Sequence, residues 1–175
     1  MMLKLEKITR GFPGMTKTKC CDLLEACIVC LSRHNHPNDG TPLLIRGDTE
    51  KTVPLVWTTI FDRQMDRTWS DQDEATEYGA ACIGVLIALK ELDYVVLQRS
   101  IKGTGFDYSL GRKGDLLLQN NARLEVSGIF HGAYKVDARF RAKIKQVEQS
   151  DTSGLPAYIC VVEFGTPIAK FGEKK

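Results

Sequence analysis

Apolar residues recur at helical spacing in three parts of the chain, and each part predicts a helix. The first helix is expected over residues 16–34, and the second over residues 70–92. Asp71 and Glu74 have the spacing of a capping box, which marks the start of the second helix. Apolar residues cover most of the circumference of that helix, so it is expected to be buried on two sides. A third helix is expected over residues 134–149.

Short runs rich in β-branched and aromatic residues predict strands around these helices. Two strands are expected in residues 42–60, around a turn at Gly47 and Asp48. Three more follow the second helix, in the runs YVVLQRS, GFDYSL and ARLEVSGI, and the run LLLQ at residues 116–119 would extend the hairpin between the last two. The apolar run AYICVVEF, residues 157–164, predicts a buried strand.

The order helix, three strands, helix, strand from residue 70 onward predicts an α/β fold in which helices flank a mixed sheet. We expect one domain over residues 1–175, because this length supports a single core. Residues 1–65 would form a helix and strand extension, residues 70–164 the core itself, and residues 165–175 a surface tail.

Composition argues against a membrane protein. Hydrophobic residues make up 43% of the chain and charged residues 26%, as in ordinary folded soluble proteins. The longest apolar run, residues 80–89, has about half the length that a membrane-spanning helix needs. The N-terminus has no apolar signal-peptide region, so a cytoplasmic location is expected. The six cysteines are then expected to be reduced thiols.

Positive charge is concentrated in one part of the chain. Residues 1–98 hold 11 basic and 14 acidic side chains, a net charge of −3. Residues 99–149 hold 10 basic and 5 acidic side chains, a net charge of +5. A local positive field favours an anionic partner such as nucleic acid.

One face of the predicted third helix would contact such a partner. Lys135, Arg139, Lys143 and Gln146 follow one another at helical spacing, so they share a face. Arg123, on the preceding predicted strand, would add a further contact. Contacts of this kind hold phosphates and do not read base sequence.

Two acidic residues, Asp107 and Glu125, lie in strand-like segments that are expected to be neighbours in the sheet. Two carboxylates that meet there are costly unless a positive charge lies between them. Mg²⁺ or Mn²⁺ would supply that charge, because hard cations prefer carboxylate and carbonyl oxygens. Such a metal polarises a phosphodiester and supplies hydroxide for in-line attack. Glu77 lies in line with a stripe of small residues on the second helix, so it would sit near a close helix contact.

Together these features resemble the core of the restriction-endonuclease-like, or PD-(D/E)XK, nuclease superfamily. The resemblance runs from the second helix to the predicted strand AYICVVEF and implies an αβββαβ core. Members of that family bind the metal through an Asp, a Glu and the backbone carbonyl after the Glu, which implies Asp107, Glu125 and Val126 here. An acidic residue of the preceding helix often joins the site, which implies Glu77, with Glu74 in reserve.

One position departs from the pattern of that family. The family usually has a lysine two residues after the glutamate, where it orients the attacking water and neutralises charge. Here that position is Ser127. The role of the lysine would pass to Lys143, with Gln146 beside it, or to Lys102 before the GTG turn.

Two functions of different class stay open. The first is a metal-dependent nuclease that acts on DNA with low intrinsic specificity, which by analogy would suit a bacterial defence or mobile-element system. The second is a catalytically inactive scaffold, such as a binding subunit, immunity protein or antitoxin, that works through a protein partner or as a homo-oligomer. A lysine that reaches Glu125 would favour the first.

A zinc site is a weaker alternative near the N-terminus. Cys27, Cys30 and His34 form a C-x₂-C-x₃-H pattern on one helical face. No second pair of cysteines follows at the spacing of a zinc finger, and cysteine is common as a small buried apolar residue. Buried packing is therefore the favoured interpretation of these residues.

Overall fold

The computed structural model of the protein describes residues 2–114 and 119–174. The strands are β1 (Leu3–Lys4), β2 (Thr41–Arg46), β3 (Glu50–Val56), β4 (Tyr94–Arg99), β5 (Tyr108–Arg112), β6 (Ala122–Ile129), β7 (Ala157–Glu163) and β8 (Ile168–Glu173). The α-helices are α1 (Lys17–Arg33), α2 (Arg63–Thr68), α3 (Gln72–Glu91) and α4 (Val136–Val147). The strand extension predicted in the run LLLQ lies outside the described residues, except for Gln119.

The strands form one mixed sheet in the order β1-β3-β2-β8-β7-β6-β5-β4. Neighbours β6 and β7 are parallel and are connected through α4, whereas β4, β5 and β6 are antiparallel. This is the crossover that a parallel pair requires. The predicted α/β class with a mixed sheet is confirmed, and so is the order helix, three strands, helix, strand from α3 to β7.

Helix α3 begins where its capping residue predicts. The Asp71 side chain accepts hydrogen bonds from the backbone N–H of Asp73 at 2.9 Å and of Glu74 at 3.0 Å. The helix is buried on two sides, between α1 and the sheet. Two glycines allow this, because a Cβ on Gly79 would lie 3.0 Å from Cys27 of α1, and one on Gly84 would lie 2.9 Å from Val126 of β6.

The sheet separates two apolar layers. Helices α1 and α3 cover one face, together with most of the core, and α4 covers the other face with a smaller cluster around Val136 and Phe140. Successive residues of a strand point to opposite faces. On β6, Leu124 and Val126 therefore face α3, whereas Glu125 and Ser127 face α4.

The surface tail expected at residues 165–175 is wrong. Most of this segment is β8, which pairs antiparallel with β7 and parallel with β2 in the middle of the sheet. Its apolar residues Ile168, Ala169 and Phe171 are buried, but they alternate too briefly to mark a strand. Strand β8 joins β2 and β3 to the other strands, so the N-terminal extension belongs to the same sheet.

The sequence pattern did not indicate the shortest elements. Among them are β1, the 3₁₀ helix Leu5–Arg10 and α2, whose N-cap Asp62 accepts a hydrogen bond from Met65 N–H at 2.8 Å. Each is too short for a hydrophobic period to be visible. Within the described residues, none of the helices combines the length and hydropathy that crossing a bilayer demands.

Candidate active site

The candidate site lies where the sheet opens between β5 and β6. Strand β5 pairs with residues 122–124 of β6, and Asp107 N–H donates to Leu124 C=O at 2.9 Å as the last rung. From Glu125 onward, β6 is still paired with β7 but no longer with β5. Helices α3 and α4 flank this stretch of β6 from the two faces of the sheet.

Asp107 and Glu125 meet at this opening. The Asp107 carboxylate accepts a hydrogen bond from Val126 N–H at 2.8 Å, and the side chains of Asp107 and Glu125 lie close enough that each shifts the pKa of the other. Since the N–H and C=O of a strand residue point to the same side, the Val126 carbonyl also faces Asp107. The three groups implied by the family resemblance are thus together.

Burial sets the charge of this carboxylate pair. It raises the pKa of Glu125 to about 7, and the neighbouring charge of Asp107 contributes to the rise. Burial also raises the pKa of Asp107, although the Val126 N–H and the charge of Lys143 oppose that effect. The pair therefore holds a proton more readily than isolated carboxylates do, because two like charges in a desolvated place repel each other.

Lys143 of α4 reaches Glu125. Its Nζ donates to Glu125 Oε1 at 2.6 Å and to Gln146 Oε1 at 2.8 Å. Gln146 Nε2 donates to the same Glu125 oxygen at 3.0 Å. Glu125 is 2% exposed and the Lys143 side chain 21% exposed, so the lysine connects a buried carboxylate to the surface. The predicted partnership of Lys143, Gln146 and Glu125 is present.

Ser127 has a partner on the same helix. Arg139 Nη1 donates to Ser127 Oγ at 3.1 Å, one helical turn before Lys143. Four residues of a helix rise about 6 Å, and two residues of a strand about 6.6 Å. The pair Arg139 and Lys143 therefore matches the pair Ser127 and Glu125 in spacing. Because Ser127 is small, α4 can bring both Arg139 and Lys143 to this face of β6.

Three adjoining cavities surround the carboxylates. The first, of about 220 Å³, contains Asp107 and Glu125, and the second, of about 700 Å³, extends towards the loop between β4 and β5. The third, of about 430 Å³, extends towards residues that follow β6. Exposed Glu77 lines all three. The site is thus open to a ligand that is longer than one small molecule.

The other predicted site residues on the cavities are Glu77, Lys102 and Lys135. Glu77, rather than the reserve Glu74, faces the carboxylates across the first cavity. Lys102 is exposed on the second cavity and Lys135 on the third. Lys143, and not Lys102, is therefore the lysine that contacts Glu125.

The phosphate contact predicted for Arg123 is wrong. Its side chain is 4% exposed and donates to the carbonyls of Val147 and Leu155, to Ser150 Oγ and to Asp151. These acceptors leave the guanidinium enclosed between β6 and the end of α4. Arg123 is a structural residue.

The residues of the zinc alternative are not grouped as a metal site within the described residues. Cys27 and Cys30 are fully buried, and burial raises the pKa of the Cys30 thiol to about 12. His34 Nε2 is hydrogen bonded to the Phe130 carbonyl at 2.8 Å. Across residues 2–114 and 119–174, no three His, Cys, Asp or Glu side chains are grouped closely enough to hold a metal by themselves. Asp107 and Glu125 would thus need the Val126 carbonyl, and a movement of Glu77, to complete a ligand set.

Arg99 is a site residue that the hydrophobic pattern did not reveal. It lines the first and second cavities, and its charge opposes the rise that burial causes in the pKa of Asp107. The register of β4 on β5 pairs Arg99 with Tyr108, the residue after Asp107. Only that register places Arg99 beside Asp107, since Arg99 precedes Asp107 by 8 positions in the chain.

No family model, no curated protein and no solved structure matches this chain. What the site does must therefore be inferred from its geometry and chemistry, which carry functional information that a fold class alone does not.

Proposed function

We propose that the protein is a metal-dependent nuclease that hydrolyses phosphodiester bonds, with DNA as the favoured substrate. The observation that carries this proposal is the cluster of Asp107, Glu125 and Lys143 in a cavity open to solvent. Two desolvated carboxylates beside each other cost free energy in the folded protein. Such a cost is typical of a site that is kept for binding or catalysis.

The residues fit a hard divalent cation. Asp107, Glu125 and the Val126 carbonyl would hold Mg²⁺ or Mn²⁺, with Glu77 as a further ligand, because these ions prefer oxygen donors. When bound, the ion would polarise the phosphodiester and supply hydroxide. A cation would also offset the repulsion between the two carboxylates.

The residues of α4 have distinct roles in this proposal. Lys143 places a positive charge beside Glu125, where it would stabilise the negative charge that develops on the phosphate. Gln146 orients Glu125 and Lys143 through hydrogen bonds to both. Arg139, held by Ser127, would bind a neighbouring phosphate. In this proposal, helix α4 supplies the positive charge that the nuclease superfamily resembled by the sequence usually places on the strand.

The topology supports the same proposal. Helix α3, strands β4 to β6, helix α4 and strand β7 follow the αβββαβ order of the restriction-endonuclease-like core, with Asp107 just before β5 and Glu125 within β6. We include a cytoplasmic location and a role in bacterial defence or mobile elements as the context that this family resemblance suggests.

A cleavage assay tests the proposal. Supercoiled plasmid, linear duplex, single-stranded DNA and RNA would each be incubated with the protein in Mg²⁺, Mn²⁺ or EDTA. We expect metal-dependent cleavage that falls about 1000-fold or more in Glu125→Ala. Glu74→Ala is the matched control, because Glu74 is an exposed acid on α3 one turn before Glu77. Absence of cleavage by folded protein in every metal would overturn the proposal.

An inactive binding subunit is the second candidate. It is favoured by the contacts of Glu125 Oε1, which already accepts hydrogen bonds from both Lys143 and Gln146. A site satisfied in this way could serve recognition alone. Calorimetry with Mn²⁺ distinguishes the two, since the nuclease predicts binding that is lost in Glu125→Ala, whereas an inactive scaffold predicts no binding at this site.

A further inference from the structure

The three cavities adjoin one another at Glu77, beside β6, and together they are called the groove. On one side lie residues of α4 and its two ends, namely Lys135, Arg139, Lys143, Gln146 and Gln149. Positions 135 to 149 span about 21 Å at helical rise. On the other side, residues near the start of α3 line the groove, namely Gln72, Asp73, Thr76 and Glu77. The groove is therefore long and has two different walls, and Arg99 and Lys102 line its second cavity outside both of them.

The two walls differ in charge. The α4 wall carries Lys135, Arg139 and Lys143, whereas the α3 wall carries Asp73 and Glu77 and has no basic residue among those that line it. Phosphates are attracted to the first wall and repelled by the second. A duplex of ordinary width would bring a phosphate backbone to both sides. A single strand can place its phosphates on α4 and its bases against α3, where Asp73 and Glu77 can accept hydrogen bonds from base amino groups.

An exposed aromatic side chain lies next to Lys135, which lines the third cavity. Tyr134 is 83% exposed, and Lys135 Nζ lies 5.4 Å from the centre of its ring. Half-buried Phe130 lines the adjacent cavity. Aromatic rings beside basic residues are what single-stranded nucleic acids use for stacking and phosphate contact.

We propose that this groove binds one strand of nucleic acid, with its phosphates along α4, its bases towards α3, and a terminal base stacked on Tyr134. This inference rests on the proposed function for its biological meaning, because it names the form of substrate that the nuclease would cleave. The binding itself depends on the groove and not on catalysis.

Fluorescence anisotropy in EDTA tests binding without cleavage. The probes are a labelled DNA strand of about 12 nucleotides, an RNA strand of the same sequence, and the blunt DNA duplex. We expect at least one single strand to bind about tenfold or more tightly than the duplex at equal salt. The DNA and RNA strands show which sugar the groove prefers.

Matched variants test whether single-strand binding depends on the residues of the two walls. Lys135→Ala is expected to weaken single-strand binding about threefold to tenfold and to reduce the salt slope by about one. Lys145→Ala is the control, because Lys145 is exposed on the opposite face of α4. Tyr134→Ala should weaken binding at least about fivefold, and Tyr134→Phe should retain it. Asp73→Asn should strengthen duplex binding more than single-strand binding.

The outcomes separate this inference from the proposed function. Equal or tighter binding of the duplex, no binding of any probe at low salt, or equal effects of Lys135→Ala and Lys145→Ala would overturn the inference even if the protein cleaves DNA. Conversely, single-strand preference that depends on Lys135 and Tyr134, without cleavage in any metal, would support single-strand binding in the groove. The same result would overturn the proposal that the protein is a nuclease.

Discussion

Arg123 and Glu125 are neighbours on one strand, and they show how differently two buried charges can be treated. Both point to the α4 face of β6, and they are 4% and 2% exposed. The groups around Arg123 are acceptors that match its donors, at Val147, Leu155 and Ser150. The groups around Glu125 include a second carboxylate, Asp107, and burial raises the pKa of Glu125 to about 7.

This difference separates a structural charge from a functional one. A buried charge that is fully hydrogen bonded stabilises the arrangement around it. A buried charge placed beside a like charge is retained at a cost in stability, which is expected where a ligand supplies the missing charge. Removal of Arg123 should therefore affect folding, whereas changes around Glu125 should affect function.

The largest expected effect is on catalysis at Lys143. Lys143→Met removes the positive charge beside Glu125 and keeps much of the side-chain volume. We expect the initial rate of DNA cleavage to fall about 100-fold to 1000-fold, because a charge that stabilises the transition state is lost. Rates are compared per folded molecule, because the buried Glu125 loses its cationic partner in this variant.

Lys145→Met, on the opposite face of α4, is the control for this change and should cleave at the wild-type rate. A Lys143→Met rate within tenfold of wild type would show that Lys143 is a structural partner of Glu125 rather than part of the catalytic apparatus.

The second effect is on stability at Arg123. Arg123→Met leaves the buried carbonyls of Val147 and Leu155 without their donor, so the free energy of unfolding should fall by about 3 kcal/mol. Urea unfolding of the two proteins measures this difference. The fraction that remains folded should cleave at the wild-type rate per molecule. A loss below about 1 kcal/mol would contradict the structural role, and the comparison with Glu125 would no longer hold.

The third effect is a pH dependence of stability in the metal-free protein. The raised pKa of Glu125 means that the folded protein holds a proton between about pH 4.5 and pH 7 that the unfolded chain has released. Stability from this group is therefore fully present at low pH and is lost as the pH rises through 7. We expect the difference in unfolding free energy between wild type and Glu125→Gln to change by on the order of 3 kcal/mol across this window.

Comparison with Glu125→Gln removes an opposing contribution from His34. Burial lowers the pKa of His34, so its contribution to stability increases as the pH rises. That contribution is the same in both proteins and cancels in the difference. A difference that is independent of pH in EDTA would show that Glu125 has an ordinary pKa. With Mn²⁺ added, wild type alone should gain stability, and more so at higher pH, because the metal binds the deprotonated form.

The smallest effect concerns Ser127. Ser127→Ala removes one hydrogen bond to Arg139, whose other donors remain exposed. We expect a loss of about threefold in cleavage rate and in single-strand affinity. In the Arg139→Ala background the same change should have no further effect, because the two residues act through one contact. Additive losses in the double variant would show that Ser127 has a separate role.

Much of the candidate site could be predicted from the sequence, because its residues lie on elements with clear patterns. Asp107, Glu125, Lys143 and Gln146 were all named, and the structure brings them together. Arg123 was misjudged, because the turn after α4 that encloses it is a 3₁₀ segment, Glu148–Ser153, with no hydrophobic period. Whether a basic residue faces a ligand or a carbonyl depends on where the neighbouring helix ends in the fold. A local sequence pattern does not contain that information.

The sequence by itself determined the long helices, the strands from β4 to β7 and the acidic residues of the candidate site. The reason is that hydrophobic periods and capping residues act over a few neighbouring positions. Only the tertiary structure decided that β8 lies between β7 and β2, and that the edge of β6 stays open beyond Leu124. Strand pairing joins residues far apart in the chain, and it is selected by the burial of whole sheet faces. The groove beside Glu125 is a product of that selection.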